Sequence, residues 1–192
     1  MEKVKKTLRD SAAARWTALV IVSFTMLCGY FLSDVMAPLK PMLEEVFGWN
    51  SAEYGIFTSA YGWLNVFLFM LIIGGIILDK MGGRFTGMMS CILMVIGVAL
   101  KYYAVSHVFP EGATIAGIRM QVAVAAGGFA IFGVGIETAG ITVTKLIVKW
   151  FKGKEMALAM GLQVAVARIG TGLAVMVTRL LYTSDAADEE GW

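Results

Sequence analysis

Long uninterrupted runs of apolar residues constrain this chain more than any other feature. Only 16% of its 192 residues are charged, and its mean hydropathy is +0.75. A helix of about 20 apolar residues crosses the roughly 30 Å hydrocarbon core of a bilayer, and inside a bilayer the backbone polar groups must be satisfied within the fold. We therefore predict an all-α membrane protein with five spanning helices, near residues 16–39, 52–78, 85–103, 121–148 and 156–178.

Positive charge is distributed unevenly between the two ends of these runs. Eleven lysines and arginines lie in the N-terminal tail and in the second-to-third and fourth-to-fifth connections, whereas Lys40, Lys101 and Arg119 lie toward the opposite side. The positive-inside rule therefore predicts that the N-terminal tail, residues 1–15, is cytoplasmic. The tail resembles the basic start of a signal peptide, but the apolar run is too long and lacks a cleavage site, so a retained helix is predicted.

The remaining reactive side chains do not indicate an enzyme. Cys28 and Cys91 each lie inside an apolar run and are interpreted as small hydrophobic residues. The sequence has no pattern typical of an ATP-binding loop, a nucleophile with its base, a metal cluster or nucleic-acid binding. We expect no enzymatic activity, no cofactor, no metal and no nucleic-acid partner.

Two ionisable residues, Glu137 and Arg168, fall near the middle of apolar runs. Each lies about twelve residues from the predicted cytoplasmic end of its run, which at 1.5 Å per residue is roughly 18 Å into the membrane. A charge at that depth costs on the order of 2.5–3.5 kcal/mol and usually faces a partner or a cavity. The pair is expected either to bind a substrate that carries both charges or to hold two helices together.

Two local features are predicted along the same runs. Ser51 is the expected N-cap of the second helix, with Glu53 favourably placed at its positive end. The fourth run is rich in glycine, which favours close, sliding contact with neighbouring helices. Its glycines are Gly127, Gly128, Gly133, Gly135 and Gly140.

The connection between the second and third runs carries a specific pattern. It reads Gly75-Ile76-Ile77-Leu78-Asp79-Lys80-Met81-Gly82-Gly83-Arg84. This resembles the G-x-x-x-D-[RK]-x-G-[RK]-[RK] signature of the major facilitator superfamily, except at Gly83, where a basic residue is usual. Gly75 is expected to permit close helix approach and Gly82 a tight turn. Asp79 and Arg84 would form a cytoplasmic charge cluster that holds one conformation and releases in the other.

A second pattern narrows the resemblance. It reads Lys149-Trp150-Phe151-Lys152-Gly153-Lys154-Glu155, then Gly161-Leu162-Gln163 and Ala167-Arg168-Ile169-Gly170. It is similar to the lysosomal dipeptide uniporter family of major facilitator proteins. The first two runs agree with that family at Gly29-Tyr30-Phe31, Asp34, Ala37, Tyr61, Trp63, Asn65 and Val66.

The resemblance implies twelve helices in two six-helix halves. Residues 16–179 would be the first five helices of the N-terminal half, and the missing second half would line the other side of the cavity. Residues 180–192 read like one frame of a transposase-based sequencing adapter. We expect this tail to be non-native and to end a truncated gene, the alternative being a genuine acidic tail.

The resemblance also implies a substrate and its contacts. In that family, an acid at the position of Glu137 and an arginine at the position of Arg168 contact the termini of a dipeptide. Glu137 would therefore attract the ammonium, and Arg168 would bind the carboxylate with both arms of its guanidinium fork. Asn65, Tyr61, Trp63, Tyr30 and Asp34 are further substrate-binding candidates. The alternatives are an interhelical hydrogen bond for Asn65, packing or interfacial anchoring for the aromatic residues, and a solvated rim position for Asp34.

The expected function is secondary transport by alternating access, as dipeptide uniport or transport of a similar zwitterion. An organic-anion or sugar carrier, or a non-transporting receptor or scaffold of the same fold, are the alternatives. The expected location is the cell (inner) membrane. A eukaryotic source would instead imply the lysosomal membrane, and only then an accessory membrane glycoprotein as partner.

Overall fold

Six helices and one short hairpin make up the part of the chain that the structure, a computed structural model, describes: residues 11–110 and 112–189, with side chains to residue 180. The predicted N-terminal tail is therefore outside the described residues up to residue 10, as are residues 190–192. The helices are α1 (Ala12–Asp34), α2 (Lys40–Phe47), α3 (Ser51–Phe67), α4 (Met70–Ser106), α5 (Met120–Phe151) and α6 (Met156–Glu189). Strands β1 (Thr114–Ile115) and β2 (Ile118–Arg119) pair antiparallel between α4 and α5.

Four of the described helices are long and apolar enough to cross a membrane: α1, α4, α5 and α6 as far as Leu180. The prediction of an all-α, membrane-spanning chain is confirmed, but the described residues contain four such helices where five were predicted. The first, fourth and fifth predicted runs correspond to α1, α5 and α6. The main shifts are that α1 ends at Asp34 rather than near residue 39, and that α6 continues beyond 178 to Glu189.

The second and third predicted runs are divided differently in the structure. The second run breaks after α3, where Phe69 has the left-handed backbone conformation φ 49°, ψ 39°. Its remainder joins the third run in α4, which is itself interrupted at Gly82, with φ 82° and ψ 164°. We call residues 70–81 the first arm of α4 and residues 83–106 its second arm. Hydropathy could not reveal the break at Phe69, because no glycine or proline marks it.

The chain divides into two compact units, residues 35–142 and residues 11–34 with 143–189. In the 35–142 unit, glycines bring the second arm of α4 and α3 into backbone contact with α5. A Cβ added at Gly128 would lie 2.8 Å from the carbonyl oxygen of Gly97, and one at Gly135 would lie 2.8 Å from the backbone nitrogen of Met94. A Cβ at Gly133 would overlap the carbonyl oxygen of Tyr61 on α3. The predicted close contact is thus present at three of the glycines.

Two predicted glycine contacts are corrected by the structure. Among the described residues, a Cβ added at Gly127 would meet nothing within 4 Å, and the same holds at Gly75. The close approach of the first arm of α4 occurs one residue earlier, at Gly74, where a Cβ would lie 3.2 Å from Thr138 Oγ1 on α5. Adjacent residues of a helix point about 100° apart. The sequence pattern therefore predicted a close contact in the correct turn of the helix but at Gly75, which lies on a different face from Gly74.

The start of α3 is a second correction. Asn50, not Ser51, is the N-cap: its side chain accepts from the backbone N–H of Glu53, whose carboxylate in turn accepts from the N–H of Asn50. This reciprocal pair satisfies two of the helix's unpaired donors. Ser51 instead donates from Oγ to Glu44 Oε1 at 3.1 Å. Asn50 and Ser51 are both good caps, but only Asn50 has a glutamate three residues later, which is the capping-box spacing in the sequence.

The other unit is built on α1 and α6. A Cβ at Gly170 of α6 would overlap the carbonyl oxygen of Leu27 on α1, so these two backbones touch. At the end of α5, the ring of Phe151 meets Trp16 edge-on, with centroids 5.5 Å apart. Phe151 of the Lys149–Glu155 stretch therefore packs on α1.

Candidate functional site

Glu137 lies near the middle of α5 and is half-buried. Tyr61 of α3 donates a hydrogen bond from Oη to Glu137 Oε1 at 2.7 Å. Gly133 lies four residues before Glu137, on the same face of α5, and its missing side chain admits the backbone of Tyr61. Both the backbone and the hydroxyl of Tyr61 therefore face one turn of α5, which sets the acid and its donor in a defined geometry.

Asn65 lies one helical turn after Tyr61, on the same face of α3. Its Nδ2 donates to the carbonyl oxygen of Tyr61 at 3.3 Å. Its Oδ1 is buried and has no hydrogen-bond partner among the described residues. An unmet buried acceptor costs about 1–3 kcal/mol, so a donor from outside this part of the chain would stabilise it.

A row of aromatic rings packs against Tyr61. The ring centroids of Tyr61 and Phe129 lie 5.4 Å apart, and Phe57 stacks on Phe129 at 4.9 Å with an interplanar angle of 13°. Trp49 meets Phe57 edge-on at 5.7 Å. These rings form a continuous apolar row that limits how far the Tyr61 side chain can move.

Arg168 is described within the other unit, on α6. Its side chain is exposed in this chain, and its Cζ lies 5.4 Å from the ring centroid of Tyr30 on α1. A guanidinium stacked on a ring keeps its N–H donors in the plane of the fork available. An exposed arginine at this depth cannot face hydrocarbon cheaply, so a cavity or another part of the protein is expected to cover it.

Two candidate residues have no described contact that supports a binding role. Trp63 is 37% exposed, and in the described ranges it makes no hydrogen bond or ring contact. Asp34 is half-buried and is the last residue of α1. A carboxylate at a helix C-terminus is disfavoured by the helix dipole, and the described contacts do not explain that cost. Both assignments stay predictions.

The Gly75–Arg84 pattern surrounds the break in α4. Asp79 and Lys80 are exposed on the first arm, and Arg84 is exposed at the start of the second. Gly82 adopts a positive φ that favours glycine, and its carbonyl oxygen accepts a hydrogen bond from Thr86 Oγ1 at 3.0 Å. The structure thus places a turn at Gly82, and the switching role of the charges stays a prediction.

Lys101, one of the three cations on the predicted outer side, is a buried side chain. It lies on the second arm of α4, is 7% exposed, and points its Nζ at the rings of Phe129 and Phe132, 4.7 Å from each centroid. The sequence does contain a signal for it, since a lysine inside an apolar run is a site candidate in its own right.

The described residues contain no set of side chains arranged as metal ligands. No cluster of three or more histidine, cysteine, aspartate or glutamate side chains there is arranged to hold an ion, and Cys28 and Cys91 are free thiols.

Residues 19–185 match the family model of the Major Facilitator Superfamily. The chain belongs to the major facilitator superfamily. It is 28% identical over 172 residues to the mouse (Mus musculus) lysosomal dipeptide transporter MFSD1, covering 88% of this chain and 34% of that protein. The zebrafish (Danio rerio) MFSD1 is 29% identical over 168 residues, with coverage of 88% and 34%.

A second kind of relative is also similar to this chain. The probable anion transporter 3, chloroplastic, of Arabidopsis thaliana is 26% identical over 167 residues, covering 86% of this chain and 30% of that protein. The chain thus spans about a third of the length of the curated relatives it matches. No solved structure matches it.

Proposed function

We propose that the full-length protein is a secondary transporter of small zwitterions, and that dipeptides are its substrates. The observation that carries the proposal is the Tyr61–Glu137 hydrogen bond beside the open acceptor of Asn65. Membership of the superfamily and the similarity to MFSD1 support transport.

Glu137 is proposed to bind the substrate ammonium. Tyr61 occupies one carboxylate oxygen, Oε1, which leaves Oε2 to accept from a cation. A carboxylate with one fixed donor is oriented before the substrate arrives, so less freedom is lost on binding. The depth of Glu137 fits, because transporter sites lie near the midplane of the bilayer.

Asn65 is proposed to accept a hydrogen bond from the peptide N–H of the substrate. Its Oδ1 is the buried acceptor without a partner in the described residues, and its Nδ2 is already used within α3. An amino acid has an ammonium and a carboxylate but no such N–H between them. This contact would therefore favour a dipeptide over a single amino acid.

Arg168 is proposed to bind the substrate carboxylate. Tyr30 packs against the guanidinium face, while the N–H fork suits a bidentate carboxylate.

The test is uptake of labelled dipeptide by the full-length protein in vesicles, with Glu137→Gln and Arg168→Lys as variants. Each change should weaken dipeptide binding by more than about 1.4 kcal/mol, a tenfold effect, with folding largely kept. The lysine keeps the charge of Arg168 but loses the fork.

A double neutral variant, Glu137→Gln with Arg168→Gln, separates binding from a structural ion pair. If the two residues only paired with each other, removing one charge would leave the other unpaired in the membrane and destabilise the protein, and removing both would relieve this cost. A double variant that folds and transports dipeptide would contradict the binding roles. One that folds without transporting would support them.

An organic-anion carrier is the second candidate, because the chain is also similar to a probable anion transporter and Arg168 alone suits an anion. Competition distinguishes the two. A zwitterionic dipeptide should displace labelled dipeptide, whereas its N-acetylated form, an anion, should not. The reverse ranking would favour the anion carrier. A receptor or scaffold of the same fold would show no uptake of either.

The proposed location is the cell membrane with the N-terminus cytoplasmic. The second six-helix half is proposed to be required for transport, because a major facilitator cavity closes between two halves. A lysosomal location, with an accessory membrane glycoprotein, is the proposal only for a eukaryotic source.

A further inference from the structure

Lys101 is a buried cation that the proposed transport function leaves unused. It lies about five residues before the end of α4, where a lysine ordinarily extends its ammonium toward the membrane surface. Here the side chain is 7% exposed, and its Nζ faces two rings of α5 instead. A cation this close to a ring face is attracted to the ring.

The rings connect Lys101 to the proposed binding acid. Phe129, which lies under the ammonium at 4.7 Å, is also the ring that packs on Tyr61 at 5.4 Å. Tyr61 in turn donates to Glu137. The path from Lys101 through Phe129 and Tyr61 to Glu137 lies within the 35–142 unit, so each contact belongs to one compact body.

Glycine contacts hold both ends of this path. A Cβ at Gly128 would lie 3.0 Å from the backbone nitrogen of Lys101, and Gly133 admits the backbone of Tyr61. The backbones at Lys101 and Tyr61 are therefore fixed against α5. The side chain of Phe129 lies between them, and a cation over a ring face restricts that ring's orientation.

We propose that Lys101 is a positioning residue, whose ammonium fixes the Phe129 ring and thereby holds the Tyr61 hydroxyl on Glu137. The consequence for dipeptide uptake rests on the proposed function, whereas the consequence for Tyr61 does not. The competing explanation is that Lys101 only pins α4 to α5.

The first readout is independent of any substrate. The full-length protein would carry 3-fluorotyrosine at position 61, whose fluorine resonance reports the hydrogen bond of the phenol. Lys101→Met keeps the length of the side chain but removes the charge, and it should move the resonance toward that of Glu137→Gln. Lys101→Arg keeps a cation over the rings and should leave the resonance near its original position.

Lys40→Met is the matched control. Lys40 is also a lysine over a ring, with its Nζ 5.5 Å from the centroid of Tyr54, but its side chain is 40% exposed and it is outside the path. Its replacement should leave the resonance unchanged. If Lys101→Met cannot be purified, Phe132→Leu removes one of the two rings that hold the ammonium and should move the resonance in the same direction.

The second readout is dipeptide uptake. Lys101→Met should raise KM by about three- to tenfold, the range expected for a desolvated cation–ring contact, and leave Vmax per folded protein unchanged. In a Tyr61→Phe background, the same change should add little, since the hydroxyl it positions is gone.

Two results would overturn the inference: an unmoved resonance in Lys101→Met, or KM effects of Lys101→Met and Tyr61→Phe that simply add. If Lys101→Met lowers thermal stability but leaves both readouts unchanged, Lys101 only holds α4 against α5. If the original protein takes up no dipeptide, the proposed function fails, and the fluorine resonance alone decides the role of Lys101.

Discussion

At the scale of single residues, position along a helix could be predicted from the sequence and hydrogen-bond partners could not. Counting residues located Glu137 near the middle of α5, where it lies. Its donor, Tyr61, is 76 residues away in the chain, so no local pattern could pair them. Lys101 was assigned to the outer side because an averaged hydropathy does not show whether a lysine reaches water or turns onto rings.

Arg119 is a residue whose hydrogen-bond geometry should matter more than its charge. It donates from Nε and Nη2 to Glu53, and from Nη1 and Nη2 to the carbonyl oxygens of Phe47 and Gly48 at 3.2 and 2.7 Å. With 41% of its side chain exposed, solvent weakens the charge contribution. Arg119→Lys, which keeps the charge but loses the fork, should lower the free energy of unfolding by about 1 kcal/mol, close to the loss in Arg119→Met.

Unfolding of the purified protein in detergent measures this prediction, with Lys40→Met as control. The Lys40–Glu44 pair is exposed, at 3.6 Å, and its loss should cost less than about 0.5 kcal/mol. The hydrogen bond to Glu53 raises the pKa of Arg119. Because a raised pKa gives stability that is lost only as pH climbs through it, the Arg119 contribution should be constant in neutral buffers. Full stability in Arg119→Lys would contradict the prediction.

At the scale of helices, the existence of the elements followed from hydropathy, and their breaks did not. The runs that became α1, α5 and α6 needed only length and apolar composition. The interruption at Phe69 depends on a backbone conformation that most residues avoid, and nothing in the local sequence marks it. The large number of glycines in α5 predicted close packing with neighbouring helices. Which of these glycines makes a contact depends on which face of α5 meets a neighbour, and the sequence does not show that face.

Glycines at and away from helix contacts should respond oppositely to alanine. At Gly135, a Cβ would lie 2.8 Å from the backbone of Met94 and 2.9 Å from Ser90 O, so Gly135→Ala should push α4 from α5 and destabilise the protein by about 1–3 kcal/mol. Gly127 is on the same helix and a Cβ there meets nothing within 4 Å, so Gly127→Ala should be neutral or add up to about 1 kcal/mol.

The same comparison applies in the other unit, and thermal unfolding in detergent measures both. Gly170 touches the backbone of Leu27, whereas a Cβ at Gly172 meets nothing within 4 Å. Gly170→Ala should lower the unfolding temperature, and Gly172→Ala should not. Equal effects within either pair would show that these close approaches do not limit stability.

At the scale of the whole molecule, the uneven distribution of lysine and arginine predicts the orientation of the chain. Among the counted cations, Lys101 on the predicted outer side and Arg15 on the predicted cytoplasmic side are both buried. Lys80, Arg84 and Lys152 are exposed. The rule counts lysines and arginines rather than net charge, so the prediction rests on the count of eleven against three.

This asymmetry predicts which loops a membrane-impermeant thiol reagent can reach. In the full-length protein with Cys28 and Cys91 replaced by serine, Val108→Cys should be labelled in intact cells, because Val108 is 89% exposed between α4 and the hairpin, on the predicted outer side. Lys152→Cys, in the exposed turn between α5 and α6, should react only after the cells are permeabilised. Reaction after permeabilisation shows that each thiol is accessible in principle, so a silent site in intact cells reports sidedness. Labelling of Lys152→Cys but not Val108→Cys in intact cells would invert the topology, and with it the cytoplasmic assignment of the Asp79–Arg84 turn.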